Sequence, residues 1–225
     1  YKEIISACVV KEKEIDVYFL GPKGTYSELA CKKNFGSSVN SFACKTIPEI
    51  FETISDENSY GIVPLENSTE GAVNATLDAL QNTELNICGE LEMPIRHSLL
   101  APQSALENIK TVYGHQQSLA QCKNKLSNFL PKAKVVPVES SGLALKKASS
   151  KRSNACIAHE TFANANDLKV VKKNIEDQKN NTTRFIILGK SSPLKSGIDK
   201  TSIIISLENR PGALSKILKT NASKR

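Results

Sequence analysis

Residues 16–34 read DVYFLGPKGTYSELACKKN, and they hold a complete strand, turn and helix. Asp16 to Leu20 is short and rich in Val, Tyr and Phe, which suits a strand. Gly21 to Ser27 supplies two glycines for a tight turn, and Tyr26 to Asn34 has apolar residues at helical spacing. The same alternation repeats along the chain. Strands are expected near Tyr60 to Pro64, Thr111 to Gly114, Val135 to Val138, Asn154 to Ala158 and Arg184 to Leu188. Helices are expected over Ile47 to Ser55, Ala72 to Gln81, Gln117 to Phe129, Gly142 to Ser149 and His159 to Ala165. Strands alternating with helices predict an α/β fold with a mainly parallel sheet flanked by helices.

Three segments break this rhythm. Glu90 to Ala101, ELEMPIRHSLLA, reads as extended with Pro94 in its middle. A proline cannot donate to a ladder, so the segment suits an edge or a crossover between lobes. Residues 190–200, KSSPLKSGIDK, have the composition of a linker. From Thr201, TSIIISLENRPGALSKIL restarts as a strand, a turn at Pro211-Gly212 and a helix, an isolated pair too small to be stable alone. At the other end, YKEIISACVVKE puts Ile4, Ile5 and Cys8 on one helical face, as the tail of a preceding helix would.

Composition narrows the function classes. The chain has 225 residues, 40% hydrophobic and 24% charged, which suits a globular protein of two lobes plus a fragment. No apolar run approaches the roughly 20 residues needed to span a bilayer. Lys2, Glu3, Lys11, Glu12, Lys13 and Glu14 interrupt any apolar centre of a leader, so the cytoplasm is the expected location and no membrane partner is implied. The six cysteines have neither paired nor zinc-like spacing and read as reduced, buried thiols, so no metal is expected. The net charge of +7 is spread along the chain, with five Tyr and no Trp for stacking, which argues against nucleic acid. A basic surface also raises the local concentration of a small dianion.

Five constellations can carry chemistry. In GPKGTYS, Thr25 and Ser27 place hydroxyls and amides at a helix N-terminus, either as an ordinary cap or as an anion subsite. In GIVPLENSTEGAVNATLDAL, residues 61–80, Glu66, Asn67 and Ser68 converge at the C-terminal end of a strand, where ligands sit in open α/β sheets; capping explains part of the cluster. In GHQQSLAQC, residues 114–122, His115 and Gln117 follow a strand and open a helix, His115 reading as a structural residue or a hydrogen-bond donor to a substrate. In ESSGLALKKA, Ser140 and Ser141 repeat the anion-friendly geometry. In NNTTRFIILG, residues 180–189, Thr182, Thr183 and Arg184 stand just before an apolar strand, where an arginine is either a surface residue or a bidentate grip on a carboxylate.

Taken together and in order, these segments resemble the prephenate dehydratase family from about Ile15 to Gly189. The family pattern Gly-Pro-x-Gly-Thr-aromatic-Ser is matched at Gly21 to Ser27, with Tyr26 where Phe is commoner. Pro-x-Glu-Asn-Ser is matched at Pro64 to Ser68, His-x-Gln-x-Leu-x-Gln-Cys at His115 to Cys122, and Thr-Arg-Phe at Thr183 to Phe185. Residues 1–14 are similar to the last helix of a chorismate mutase domain, or a linker after it, without that domain's catalytic arginines. LENRPGALSKIL is similar to the opening strand and helix of an ACT domain, which in this family binds phenylalanine for feedback inhibition. The later Glu-Ser-Arg-Pro motif is absent, so a partial α+β ACT domain is expected over 201–225.

The resemblance implies a two-lobed α/β fold of the type II periplasmic-binding-protein kind, residues 15–190. Lobe one covers about 15–93 and 175–190, and lobe two about 94–174, with a linker at 191–200. It implies decarboxylating dehydration of prephenate to phenylpyruvate, with Thr183 as hydrogen-bond or proton donor to the leaving hydroxyl and Arg184 on a substrate carboxylate. Thr25, Ser27, Glu66, Asn67, Ser68, His115, Gln117, Ser140, Ser141, Thr182 and Phe185 complete the expected lining, Glu66 orienting its neighbours. Asn209, Pro211, Gly212, Ala213 and Leu214 are the expected phenylalanine contacts. No metal or organic cofactor is implied, and the family assembles as dimers or tetramers. Arogenate dehydratase shares the motifs, and a non-catalytic receptor for an aromatic acid or amino acid is the reading from another class.

Overall fold

The computed structural model describes residues 14–205, 207 and 210–216. The chain divides into two units between Pro193 and Leu194. The first contains two sheets. Sheet one is built from β1 (Asp16–Leu20), β2 (Asn40–Cys44), β3 (Ser59–Asn67), the two-residue β4 (Gly71–Ala72), β5 (Asn86–Pro94) and β11 (Thr182–Gly189), in the order β2-β1-β3-β11-β5 with β4 on β3. Sheet two is β6 (Ser98–Ala101), β7 (Thr111–His115), β8 (Lys134–Val138), β9 (Asn154–Ala158) and β10 (Lys169–Lys172), in the order β10-β6-β9-β7-β8.

The two sheets share one plan. Three parallel strands, β2-β1-β3 or β8-β7-β9, are extended by two antiparallel ones, β11-β5 or β6-β10. Both sheets are therefore mixed rather than mainly parallel. The antiparallel neighbour arises because the chain crosses between the sheets twice. Residues 95–97 carry it from β5 to β6, and residues 173–181 return it from β10 to β11. This is the two-lobed α/β architecture of the periplasmic-binding-protein type.

Each sheet is covered on both faces. In lobe one, α1 (Tyr26–Phe35) packs Ala30 and Cys31 on Val17, Phe19, Ile62 and Phe185. On the opposite face, Ile47 and Ile50 of α2 (Ile47–Thr53), with Leu80 of α3 (Asn74–Gln81), cover Val63, Ile186 and Leu188. In lobe two, Leu119 of α4 (Gln116–Gln121) and Leu126 of α5 (Lys123–Phe129) cover Leu99, Val112 and Ile157. Ala144, Leu145 and Ala148 of α6 (Ser141–Ser149) cover Leu100, Cys156 and Ala158. Burial on both faces explains why β6 and β9 are buried along their whole length.

Several elements depart from the sequence expectation. β2 lies at an edge and is largely exposed, so NSFAC has no apolar alternation to announce it. The helix expected over 117–129 is two helices broken at Cys122, where φ is −113° and ψ 7°. The second is capped from far away, since the Asp177 carboxylate accepts from Asn124 N and Lys125 N, both at 3.0 Å. His159 to Ala165 forms two 3₁₀ turns instead of a helix.

In the second unit, residues 213–216 are helical after a turn in which Gly212 has φ +83°. The backbone of 201–205 has no strand pairing, because no partner strand lies among the described residues. Pro211, Gly212 and Leu214 are exposed and Ala213 half-buried. Asn209 and the expected helical tail with Ile4, Ile5 and Cys8 lie outside the described residues. No helix among the described residues is long and apolar enough to cross a membrane.

Candidate active site

Four of the five expected segments leave the C-terminal ends of parallel strands, and the fifth, residues 180–184, runs into the start of the antiparallel β11. Gly21–Thr25 follows β1, Ser68–Glu70 follows β3, His115 ends β7, and Ser140 follows β8. In an α/β sheet those ends form the natural ligand crevice. Loops from the two lobes touch here. Gly24 has φ +88°, and a β-carbon on it would lie 3.0 Å from Gly142 Cα. A β-carbon on Gly142 would stand 2.1 Å from the Lys23 carbonyl oxygen, so the contact admits only glycine at 142. Gln117 Nε2 of lobe two donates to Glu70 Oε2 of lobe one, and Leu29 packs against the cores of both lobes.

The crossovers form a hydrogen-bonded pair beneath the crevice. Ile95 N donates to Asn181 O and Ile175 N to His97 O, both at 2.8 Å. The Glu176 carboxylate is buried, accepting from His97 N at 3.0 Å and from Arg96 Nη1 at 3.3 Å.

Thr183 is the second residue of β11 and is 8% exposed. It faces Asn67, its partner across the β3–β11 ladder. Asn67 Nδ2 donates to Thr183 Oγ1 and to Asn181 Oδ1, each at 2.8 Å. Asn67 Oδ1 accepts from Thr69 N at 2.9 Å and Glu70 N at 3.2 Å. Beyond Asn181, Nδ2 meets Gln121 Oε1 at 3.1 Å, and that oxygen lies 2.9 Å from His97 Nε2. His97 Nδ1 lies 3.1 Å from the Tyr26 hydroxyl, which donates to the Arg96 carbonyl. Burial pushes the Tyr26 phenol well up, with Cys122 and Glu176 adding to the effect. Burial also pulls His97 and His159 below the usual histidine range.

Arg184 occupies the opposite face of β11. Strand alternation turns it from Thr183 toward Glu90 and Glu66. Nε and Nη2 donate to Glu90 Oε2 at 2.9 and 2.6 Å, and Nη1 stands 3.6 Å from Glu66 Oε1. The Glu90 hydrogen bond raises the guanidinium pKa, and the two donors it engages are turned away from the expected substrate carboxylate in this conformation. Phe185 departs from the expected lining. It is 1% exposed within the core with Val17, Phe19 and Ile62, so it cannot line a crevice.

Other expected site hydroxyls serve the backbone. Ser68 Oγ donates to Asn180 O at 3.1 Å and accepts from Thr182 N at 2.9 Å, tying the β3 exit to the start of β11. Thr25 Oγ1 donates to Leu20 O at 3.3 Å. Ser140 Oγ caps α6 by accepting from Leu143 N at 3.1 Å. The start of α1 already holds a carboxylate, because the buried Glu28 accepts from Gly24 N at 2.5 Å. Ser27 and Ser141 are buried and His115 half-buried. Sequence reasoning did not single out Asn181, Gln121, His97 or Tyr26. Gln121 and Asn181 stood inside quoted motifs, whereas His97 lay in a segment read only as extended.

Several comparisons with known proteins point to one family. The family described as prephenate dehydratase matches residues 17–193. A bifunctional chorismate mutase/prephenate dehydratase of Pseudomonas aeruginosa is 42% identical over 97% of this chain and 60% of its own length. The chain thus spans about 60% of that relative. A prephenate dehydratase of Methanocaldococcus jannaschii is 38% identical over 92% of this chain and 78% of its own. Among solved structures, a prephenate dehydratase of Arthrobacter aurescens in complex with L-Phe is 34% identical with a TM-score of 0.80, covering 93% of this chain and 72% of that one. The Staphylococcus aureus prephenate dehydratase is 27% identical with a TM-score of 0.77, covering 94% and 80%.

Proposed function

This chain belongs to the prephenate dehydratase family, and we propose that it converts prephenate to phenylpyruvate, carbon dioxide and water. The observation that carries this reading is the Thr183 hydroxyl, buried at the ladder mouth with Asn67 donating to its oxygen. With its lone pair engaged, the hydroxyl has its own proton left to offer. In the reaction the bond to the ring carboxylate breaks and its electron pair enters the ring. The ring hydroxyl then leaves, taking one proton from solvent to become water. Aromatisation drives the step, so the protein's task is to hold a dianion and stabilise the departing oxygen. A threonine hydroxyl is a weak acid, and its part is a hydrogen bond that strengthens as negative charge develops on that oxygen. A preorganised hydrogen-bond donor of this kind contributes roughly 10²- to 10³-fold.

His115, Gln117, Ser27, Ser141 and Thr182 stand at the loops that would enclose the substrate. Thr25, Ser68 and Ser140 would shape those loops through the backbone bonds described above. Arg184 and Glu66 support β11 from the far face. Phenylalanine would act through an ACT domain beginning near residue 201, with Pro211, Gly212, Ala213, Leu214 and Asn209 as contacts, in a dimer or tetramer located in the cytoplasm. This regulatory reading draws on the L-Phe complex of the Arthrobacter relative.

Absorbance of phenylpyruvate formed from prephenate, with and without phenylalanine, tests both parts. Thr183→Ala is expected to lose roughly 10²-fold or more in kcat while still folding cooperatively, its stability lowered by about 1–3 kcal/mol because the Asn67 Nδ2 donor loses its partner. Near-normal turnover by that variant would remove Thr183 from the reaction.

A further inference from the structure

The amide groups beside Thr183 can be oriented without reference to any ligand. Asn67 Oδ1 accepts from two backbone N–H groups, Thr69 and Glu70, and only a carbonyl oxygen can do so. Its NH₂ therefore faces inward, with one proton for Thr183 Oγ1 and one for Asn181 Oδ1. All four hydrogen-bonding positions of Asn67 are taken by protein. Asn181, 5% exposed, must then present its own NH₂ to Gln121 Oε1. That oxygen has no proton to give, so His97 Nε2 at 2.9 Å must carry one and His97 Nδ1 must be bare, the single Tyr26 hydroxyl proton being shared between Nδ1 and the Arg96 carbonyl. The donations run from the end of β3 through one crossover to Gln121 of α4, where His97 of the other crossover donates from the opposite side.

We propose that Asn67 is a positioning residue for Thr183 rather than a substrate ligand. In this scheme Asn67, Asn181, Gln121 and His97 form a chain of fixed direction that obliges the Thr183 hydroxyl to donate outward, into the crevice. The inference rests on the assignment of Thr183 above. A donor from Asn67 saturates one lone pair of Thr183 Oγ1 and repels its proton, so the proton turns away from Asn67. Because Gln121 belongs to lobe two and Asn67 to lobe one, the chain also holds the hydroxyl in register with α4, which carries Gln117. Each link lies in a buried or half-buried setting, where an unmatched amide is costly, so the pattern resists reversal.

Asn67→Asp is the direct test. The introduced carboxylate keeps the size and both backbone acceptor contacts, but it cannot donate, so Thr183 turns its proton onto that carboxylate. The expected result is a loss of about 50- to 500-fold in kcat with KM within about threefold, and no further loss when the change is added to Thr183→Ala. A kcat within about threefold of the wild type, or the same loss in the Thr183→Ala background, overturns the proposal. If Thr183→Ala itself retains turnover, the fault lies in the functional assignment instead. The direction of the chain has its own readout in the unaltered protein. ¹⁵N NMR of the three histidine rings, with His97 assigned by its disappearance in His97→Gln, is expected to show the Nε2–H tautomer near about pH 7.5, above the ordinary histidine pKa. An Nδ1–H tautomer at His97 overturns the chain whatever the variants do.

Discussion

Thr183 and Arg184 are consecutive on β11, and the polar groups on its two faces differ in kind. On the Thr183 face, five side chains from both lobes and both crossovers are linked by neutral amide, hydroxyl and imidazole contacts, all buried or half-buried. On the Arg184 face, one guanidinium sits between two carboxylates, with Glu66 55% and Glu90 29% exposed. An amide has a donor end and an acceptor end, so one fixed link fixes the next. An ion pair has no such direction, and water can stand in for either partner. The first arrangement can carry information about orientation over several residues, whereas the second can only hold a strand in place.

The comparison breaks most severely at Gln121, whose oxygen is the shared acceptor for Asn181 and His97. Gln121→Leu keeps comparable bulk and strands two donors that have little access to water. A loss of about 2–3 kcal/mol in urea unfolding is expected. A loss below about 1 kcal/mol would mean that water already serves this segment, and the contrast between the two faces would collapse.

Acid sharpens the same contrast. Burial holds His97 and His159 below the ordinary histidine value of about 6.5. In both, the unfolded state takes up a proton first as the pH falls. Their contribution to stability is therefore whole above about pH 6.5 and is lost progressively below it. Urea midpoints at about pH 7.5 and about pH 5.5 should fall in that order, and His97→Gln should narrow the gap. The guanidinium of Arg184 has its pKa raised, principally by the Glu90 hydrogen bond, so it stays charged throughout that range. A pH-independent midpoint would place the histidines in contact with solvent.

How much of this could be read in the sequence follows from the range of the forces involved. Alternating strands and helices were legible because a two-face-buried strand such as β9, NACIA, leaves a local apolar mark. The mixed sheets were not, since antiparallel pairing of β11 with β3 depends on residues more than a hundred positions apart. Thr183 and Asn67 were visible as motif members, but their contact exists only through that ladder. His97 left no local sign, for a histidine in ELEMPIRHSLLA has the same neighbours in sequence whether it faces water or Gln121. The place of Arg184 was hidden for a related reason. The residue type suits a carboxylate, but a period of two puts consecutive side chains on opposite faces, so Thr183 and Arg184 cannot both face one ligand from a regular strand.

The smallest expected effect is at Arg184 itself, and it decides between two uses of a guanidinium. If Arg184 only braces β11 against β3 and β5, Arg184→Gln removes partly exposed ion pairs worth at most about 1 kcal/mol, and added salt shrinks the difference from the wild type. Turnover and KM should then stay within about threefold. If the side chain instead leaves Glu90 to hold a substrate carboxylate, the variant loses a charged hydrogen bond of about 1.5–3 kcal/mol in the complex, which raises KM by about tenfold or more. Stability and KM in one variant, measured at low and high salt, therefore separate the brace from the ligand. The paired contact with Glu90, made through Nε and Nη2 to the single oxygen Oε2, favours the brace, because rotating away from it would forfeit two charge-assisted bonds before any substrate is held.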